Sequence, residues 1–381
     1  MSSSNSQSYN NYSNKYIVLD IVFYANSLNY DQGGSNIQEL KKITKWDGKE
    51  YVLVSRYALR YSILHHAEKL FSWHLATGKE KLELENQKST SATAKDTGTG
   101  SEKSEIEDTG NVPTANTDST GYVVHPNPKL IKNEQIKDFP EFDLFGYMIA
   151  KKSEPLSSRT SPVKISHATS LTPYNYDTHF SANLDMMRRY YQEPGHGSNP
   201  ITIEEKQDFY IYNVVIDVNR VGVFTKEELG GGKYGIDNIK IPDQDKIKRI
   251  LELIETIFYL KREIKGRMED LSPWLAIVGL YNNAKYETYL DKVEIVKSQS
   301  YKIITKIKTY KDDDGKEVKE IENQIVDNSA PRFQIDLGGG KAHTDINSFE
   351  TLKQKIKSFL ESGNDEGIYV FRRGMVEVEW V

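Results

Sequence analysis

Three segments of this chain constrain its fold more than anything else in it. Tyr16 to Tyr24 (YIVLDIVFY), Asp208 to Val218 (DFYIYNVVIDV) and Trp274 to Tyr281 (WLAIVGLY) are dense in β-branched and aromatic residues, so each reads as a strand. The first and last are apolar enough to be buried on both faces. Between them lie helical patterns. Leu59, Ile63, Ala67 and Leu70 recur at helical spacing, which predicts an amphipathic helix from Arg56 to about Leu75 with Ser55 as N-cap, after a short strand at 51–54. Ile247, Ile250, Leu251, Ile254, Phe258 and Ile264 predict a long helix stopped near Gly266. Phe142 to Ala150 (FDLFGYMIA) reads as a further strand. The order is strand, helix, strand, strand, helix, strand. That is an α+β arrangement, the ferredoxin-like βαββαβ unit also used by RNA-recognition (RRM-like) folds.

Other stretches read as additions to that unit. Apart from Met1 and Gln7, residues 1–14 are Ser, Asn and Tyr and predict a disordered tail. In 86–120, 16 of 35 residues are Ser, Thr or Gly, with no aromatic and no Leu, so this segment buries too little apolar surface to offset its ordering entropy. It is expected to interrupt one domain (residues 15–381) as an acidic insert. The span 292–381 predicts a hairpin with arms near 292–309 and 316–327, turning at Asp312-Asp313-Asp314-Gly315. A last helix follows from the capping-box pattern Asn347-Ser348-Phe349-Glu350, with Phe349, Leu352, Ile356 and Phe359 on one face. The 57 residues of 151–207 are too long for a plain connection and carry Tyr174, Tyr176, Phe180, Tyr190 and Tyr191, so a projection is expected there.

Charge narrows the partners. The net charge is −5, but residues 79–120 alone hold nine acids and five bases, a net of −4. The rest is near neutral, which excludes a uniformly basic protein and permits local basic patches. There is no cysteine, hence no disulfide and no thiolate zinc site, which fits a reducing compartment. The apolar run Leu271–Tyr281, broken by Ser272 and Pro273, is too short for a membrane span, and no signal peptide opens the chain, so a cytoplasmic location is expected.

Three features bear on chemistry. The helix beginning Ser55-Arg56-Tyr57-Ala58-Leu59-Arg60 has no acid before Glu68, although helix N-termini favour anionic side chains. Arg56 and Arg60 share a face there, a place suited to a phosphate unless carboxylates from elsewhere pair with them. In 151–191 six Lys/Arg against three acids interleave with Tyr and Phe, the composition of a single-strand surface and equally of a protein-docking arm. The loop Asn26 to Gly34 allows close backbone approach to a ligand, or simply a turn. Enzymatic motifs fail: Gly230-Gly231-Gly232-Lys233 and Gly338-Gly339-Gly340-Lys341 lack the Ser/Thr and opening Gly of a phosphate loop, and the eight histidines show no metal spacing. No catalytic residue, metal site or cofactor is expected.

YVLVSRYALRYSILHHA (Tyr51–Ala67), FDLFGYMIAKK (Phe142–Lys152) and RTSPVKISHATSLTPYNYDTHFSANL (Arg159–Leu184) resemble the DevR-type Cas-seven family of the RAMP superfamily, the backbone subunits of type I-B CRISPR Cascade complexes. The resemblance implies a hand-shaped, non-catalytic scaffold, with an RRM-like palm, helical fingers and a thumb at 151–207. Copies would stack head-to-tail along the spacer of a CRISPR guide RNA, which pairs with target DNA, and would meet other Cascade subunits at the ends and belly of the filament. It further implies that Ser55, Arg56 and Arg60 grip guide phosphates, with Asn26, Ser27 and Asn29 lining the path. Arg159, Ser161, Lys164, Ser166, His167 and Thr169 would face the RNA from the thumb base. The alternative is an endoribonuclease, since type III relatives cut target RNA with an aspartate in the comparable loop, here Asp31. The 86–120 insert departs from the family pattern.

Overall fold

The computed structural model describes residues 14–31, 36–87, 121–151, 154–190, 200–296, 302–311, 317–326, 331–338, 341–374 and 376–381. The fold is mixed α/β. Its main sheet holds β1 (Tyr16–Ala25), β2 (Lys42–Thr44), β3 (Glu50–Val54), β4 (Val163–Ile165), β5 (Ala168–Ser170), β6 (Asp208–Asp217), β7 (Leu275–Tyr281), β8 (His343–Ile346) and β9 (Gly367–Arg372). They run β8-β9-β7-β1-β6-β5-β3-β2, with β4 also on β6. β1 sits in the centre, antiparallel to both neighbours, in registers such as Val18↔Val215 and Val18↔Gly279. Its odd-numbered residues Ile17, Leu19, Ile21 and Phe23 pack under α1 (Arg56–Phe71), α4 (Asp243–Phe258) and α5 (Phe349–Ser362). Its even-numbered face is buried too, because Val22, Ile211 and Ile277 pack against Tyr289, Val293, Phe333 and Ile335 of the C-terminal region. Burial on both sides is what the unbroken apolar runs require.

Several expectations need correction. Phe142–Ala150 is not one strand: α2 (Pro140–Phe145) opens with Pro at a first-turn position, where its fixed φ suits a helix. Gly146 then turns the chain at φ 75°, with its Cα so close to Arg159 O that a Cβ would lie 2.2 Å from it. Only Tyr147–Ile149 is extended, and it pairs with Ser157–Arg159 outside the main sheet. The second strand of the expected unit is instead β4 with β5, inside the stretch assigned to the thumb. The projection is therefore shorter than 151–207. The strand Thr178–Ser181 and α3 (Leu184–Tyr190) make up much of its described part, with Tyr176 and Phe180 largely exposed, while Tyr174 packs on the core.

The long central helix ends at Phe258. Gly266 instead serves a hairpin, Lys261–Ile264 with Arg267–Asp270, whose two turn residues both have positive φ. α1 ends four residues early, at a left-handed Ser72, because buried Trp73 swings onto α4 and donates its Nε1–H to Glu252. α5 starts after Ser348 rather than Asn347, and no side-chain cap forms. The C-terminal hairpin pairs Lys302–Lys311 with Glu317–Val326. The tail to residue 13, most of the acidic insert and the Asp312–Gly315 turn lie outside the described residues. Gln87 pairs with Gly121, so the chain leaves for that insert and returns at one ladder.

Candidate nucleic-acid interface

β3 delivers the chain into α1 at Ser55. Its φ and ψ are extended, and its Oγ accepts the Ala58 N–H at 3.2 Å, as its N-cap reading requires. Its own N–H donates to Asn29 Oδ1 at 2.8 Å, fastening the loop after β1 to the helix start. A second fastening comes from the sheet. Ile165 pairs with Val214 and Thr169 with Ile211, so Ser166–Ala168 place one residue more on this strand than on its partner, a bulge. Ser166 sustains it, its Oγ accepting the Asn213 N–H at 2.9 Å. The bulge re-aims His167, whose Nδ1 accepts the Arg56 N–H at 3.0 Å. An amide can only donate, so Nδ1 carries no proton here and a neutral ring holds its hydrogen on Nε2.

A groove of about 530 Å³ opens beside this helix start, lined by Arg56, Arg60 and Lys164 together with Tyr57, Phe145 and Met148. Among the described residues, no carboxylate lies within ion-pairing distance of those three cations. The Arg60 guanidinium lies 5.1 Å from the Phe145 ring centre, and burial presses its pKa down, with Glu141 acting the other way. Partial burial lowers the Lys164 ammonium pKa, helped by the positive charges of Arg220 and Arg56. Arg56 lies over the Tyr57 ring and donates to its hydroxyl at 3.0 Å. Cations held together without a direct ion pair lower their energy when a polyanion joins them.

The residues drawn from the family pattern divide sharply. Ser55, Arg56, Arg60, Lys164, His167 and Asn29 converge at the groove and helix start. Arg159 does not face a ligand. Its side chain is fully buried, with Nη2 2.7 Å from Asp143 and Nη1 2.7 Å from Glu228, and its other N–H groups reach the carbonyls of Asp143, Val223 and Arg220. Arg159 and Ser161 belong to the groove wall, but the guanidinium is spent pinning α2 beneath it. Ser161 is spent on the Leu144 and Val163 carbonyls, and Thr169 sits between β3 and β6. Asn26 is held by Glu269, and buried Ser27 accepts the Lys206 N–H. Asp31 forms an ion pair with Lys41 at 2.7 Å. No group of three His, Asp or Glu side chains suited to a metal occurs among the described residues, and no helix there is long and apolar enough to cross a membrane.

Sequence reasoning passed over the aromatic and apolar lining, Tyr57, Phe145 and Met148. A signal for Tyr57 was present: with Leu59 and Ile63 facing inward, Tyr57 and Tyr61 must lie on the outer face, where polar residues are expected. Trp46, 98% exposed at the tip of the β2–β3 hairpin, was missed as well.

The family description "CRISPR-associated negative auto-regulator DevR/Csa2" matches residues 17–301, three quarters of the chain. The chain belongs to the CRISPR-associated DevR/Csa2 family. Two solved structures are similar to parts of this chain. A chain of a "CRISPR RNA-guided surveillance complex, pre-nicking" is 13% identical, with a TM-score of 0.41, over 69% of this chain and 78% of that one. A chain of a "CRISPR RNA-guided surveillance complex" is 11% identical, with a TM-score of 0.37, over 69% and 68%. No curated protein matches.

Proposed function

We propose that this protein is a non-catalytic scaffold that binds a CRISPR guide RNA and polymerises head-to-tail along its spacer, forming the backbone of a type I-B Cascade complex that recognises target DNA. The observation that carries the reading is the groove at the start of α1, where Arg56, Arg60 and Lys164 converge from two elements with no carboxylate in ion-pairing distance among the described residues. Family membership supports it. In this reading the central strands β7-β1-β6-β5 with α1 and α4 are an RRM-like palm. Its open sheet face, which RRMs use for bases, is covered here by the C-terminal region, so the RNA runs along the sheet edge and helix start. The exposed segment around Tyr176 and Phe180 is the thumb that reaches a neighbouring copy's RNA.

Arg56→Ala with Arg60→Ala is expected to weaken binding of a single-stranded guide and to lower the slope of log affinity against log salt by about 1 to 1.5. Unchanged affinity and slope would overturn the assignment. Complementary RNA and Mg²⁺ added to the assembled complex should yield no cleavage. Regularly spaced fragments that vanish in Asp31→Ala would establish the endoribonuclease instead.

A further inference from the structure

The outer face of α1 carries a row of rings that the phosphate-binding reading leaves unused. Tyr57 is 63% exposed and Tyr61 61% exposed, and the Tyr61 ring centre lies 4.2 Å from that of His65. The three residues follow at intervals of four, so they occupy one stripe with a rise of about 6 Å per step. Exposed single aromatics are ordinary, but a stripe of them on the solvent side of an otherwise amphipathic helix is not. Packing does not explain them, because the core side of α1 is filled by Leu59, Ile63 and Ala67.

The stripe begins where the cationic groove ends. Tyr57 lines the groove, and its ring and hydroxyl are held by Arg56. Glu68 is the single acid on the helix and lies beyond the last ring, against His65. A chain leaving the groove along α1 therefore meets flat, accessible faces and little negative charge. The step of about 6 Å exceeds the roughly 3.4 Å rise of a stacked strand. Bases can meet successive rings only if the strand is opened, and opened bases are the ones that gain from stacking on protein rings. A protein partner is less well matched, since the adjoining arginines and lysine would face it without acids of their own.

We propose that the Tyr57–Tyr61–His65 stripe is a base-stacking surface for unpaired nucleotides of the RNA whose phosphates occupy the neighbouring groove. This rests on the RNA-scaffold reading: phosphate contact holds the strand, and the stripe takes bases as they leave the groove. Because stacking needs a ring and not a hydroxyl, phenylalanine satisfies the requirement at both tyrosines.

The test uses the full-length protein with two single-stranded RNAs of equal length and charge, one natural and one carrying abasic sites at its centre. Wild type should bind the natural RNA about tenfold or more tightly than the abasic one. Tyr57→Ala with Tyr61→Ala should abolish that preference, and the salt slope is read in Tyr61→Ala alone, whose ring is not part of the groove lining, where it should stay as in wild type. Tyr57→Phe with Tyr61→Phe should keep the preference. Both tyrosines are exposed, and circular dichroism and thermal melting would confirm that the variants fold. Equal binding of the two RNAs by wild type, with Arg56→Ala still lowering the slope, would overturn the stripe and leave the scaffold reading standing. No binding of either RNA would overturn both. An alanine pair that retains base preference but changes the oligomeric state would assign the stripe to a protein contact and overturn the proposal.

Discussion

Asp20 sits on the central strand, 1% exposed, where its two carboxylate oxygens accept the Asn213 side-chain amide at 2.7 Å and the Tyr289 N–H at 2.9 Å. Burial raises its pKa to about 6, and those two hydrogen bonds hold it from rising further. An unfolded Asp titrates near 3.9, so between about pH 4 and 6 the folded protein keeps a proton that the unfolded chain has lost. Stability contributed by this site therefore falls as pH rises through that window. Asp20→Asn should remove the slope, gaining up to about 3 kcal/mol on wild type between pH 4 and 7 in urea unfolding. The slope is the readout, since Asn replaces one acceptor by a donor at a cost that does not vary with pH. Parallel curves would show that Asp20 does not titrate there. Arg159 poses a different question. Arg159→Met should cost about 3 kcal/mol or more, because Asp143 and Glu228 lose a fully buried partner. A variant of wild-type stability that fails to bind RNA would return Arg159 to the RNA path.

Elements divide the labour differently. α1 is set by its cap, and the cap lies at the proposed binding site, so stability and binding are read from one residue. Ser55→Ala should lower stability by about 1 kcal/mol through loss of the 3.2 Å bond to Ala58 N–H. Ser55→Asp keeps a capping oxygen and places a negative charge where the helix dipole favours it, so thermal stability should hold or rise. The same charge faces the proposed phosphates, so RNA affinity should fall at low salt. Parallel loss of stability and binding in Ser55→Asp would indicate that the site is only a helix start. The bulge between β4 and β5 is the second working element, since without its extra residue His167 would fall on the other face of the strand.

At the scale of the molecule, the C-terminal region decides where RNA would run in the proposed scaffold. By packing Tyr289, Phe333 and Ile335 onto the second face of the sheet, it closes the surface an RRM uses for bases and leaves an edge and a helix end. The contact proposed between one copy's thumb and the next copy's groove would be a heterologous association, which grows along a strand instead of closing. The number of copies bound should therefore rise stepwise with guide length in analytical ultracentrifugation. A copy number independent of length would indicate a closed oligomer.

The sequence by itself determined the central strands, because runs such as YIVLDIVFY have no wet face to offer. It determined the start of α1 as well, because a cap and a run of inward-facing apolar residues are local facts. It also marked Arg56 and Arg60, since an anion-poor helix start shows in the order of residues alone. Only the tertiary structure decided that FDLFGYM breaks into helix and strand, that 163–170 belongs in the sheet, and that Arg159 is buried in an ion cluster. The physical reason is range. Capping and periodicity act over a few residues, whereas whether a short apolar run pairs, or a guanidinium meets water or Asp143, depends on segments brought together from far along the chain.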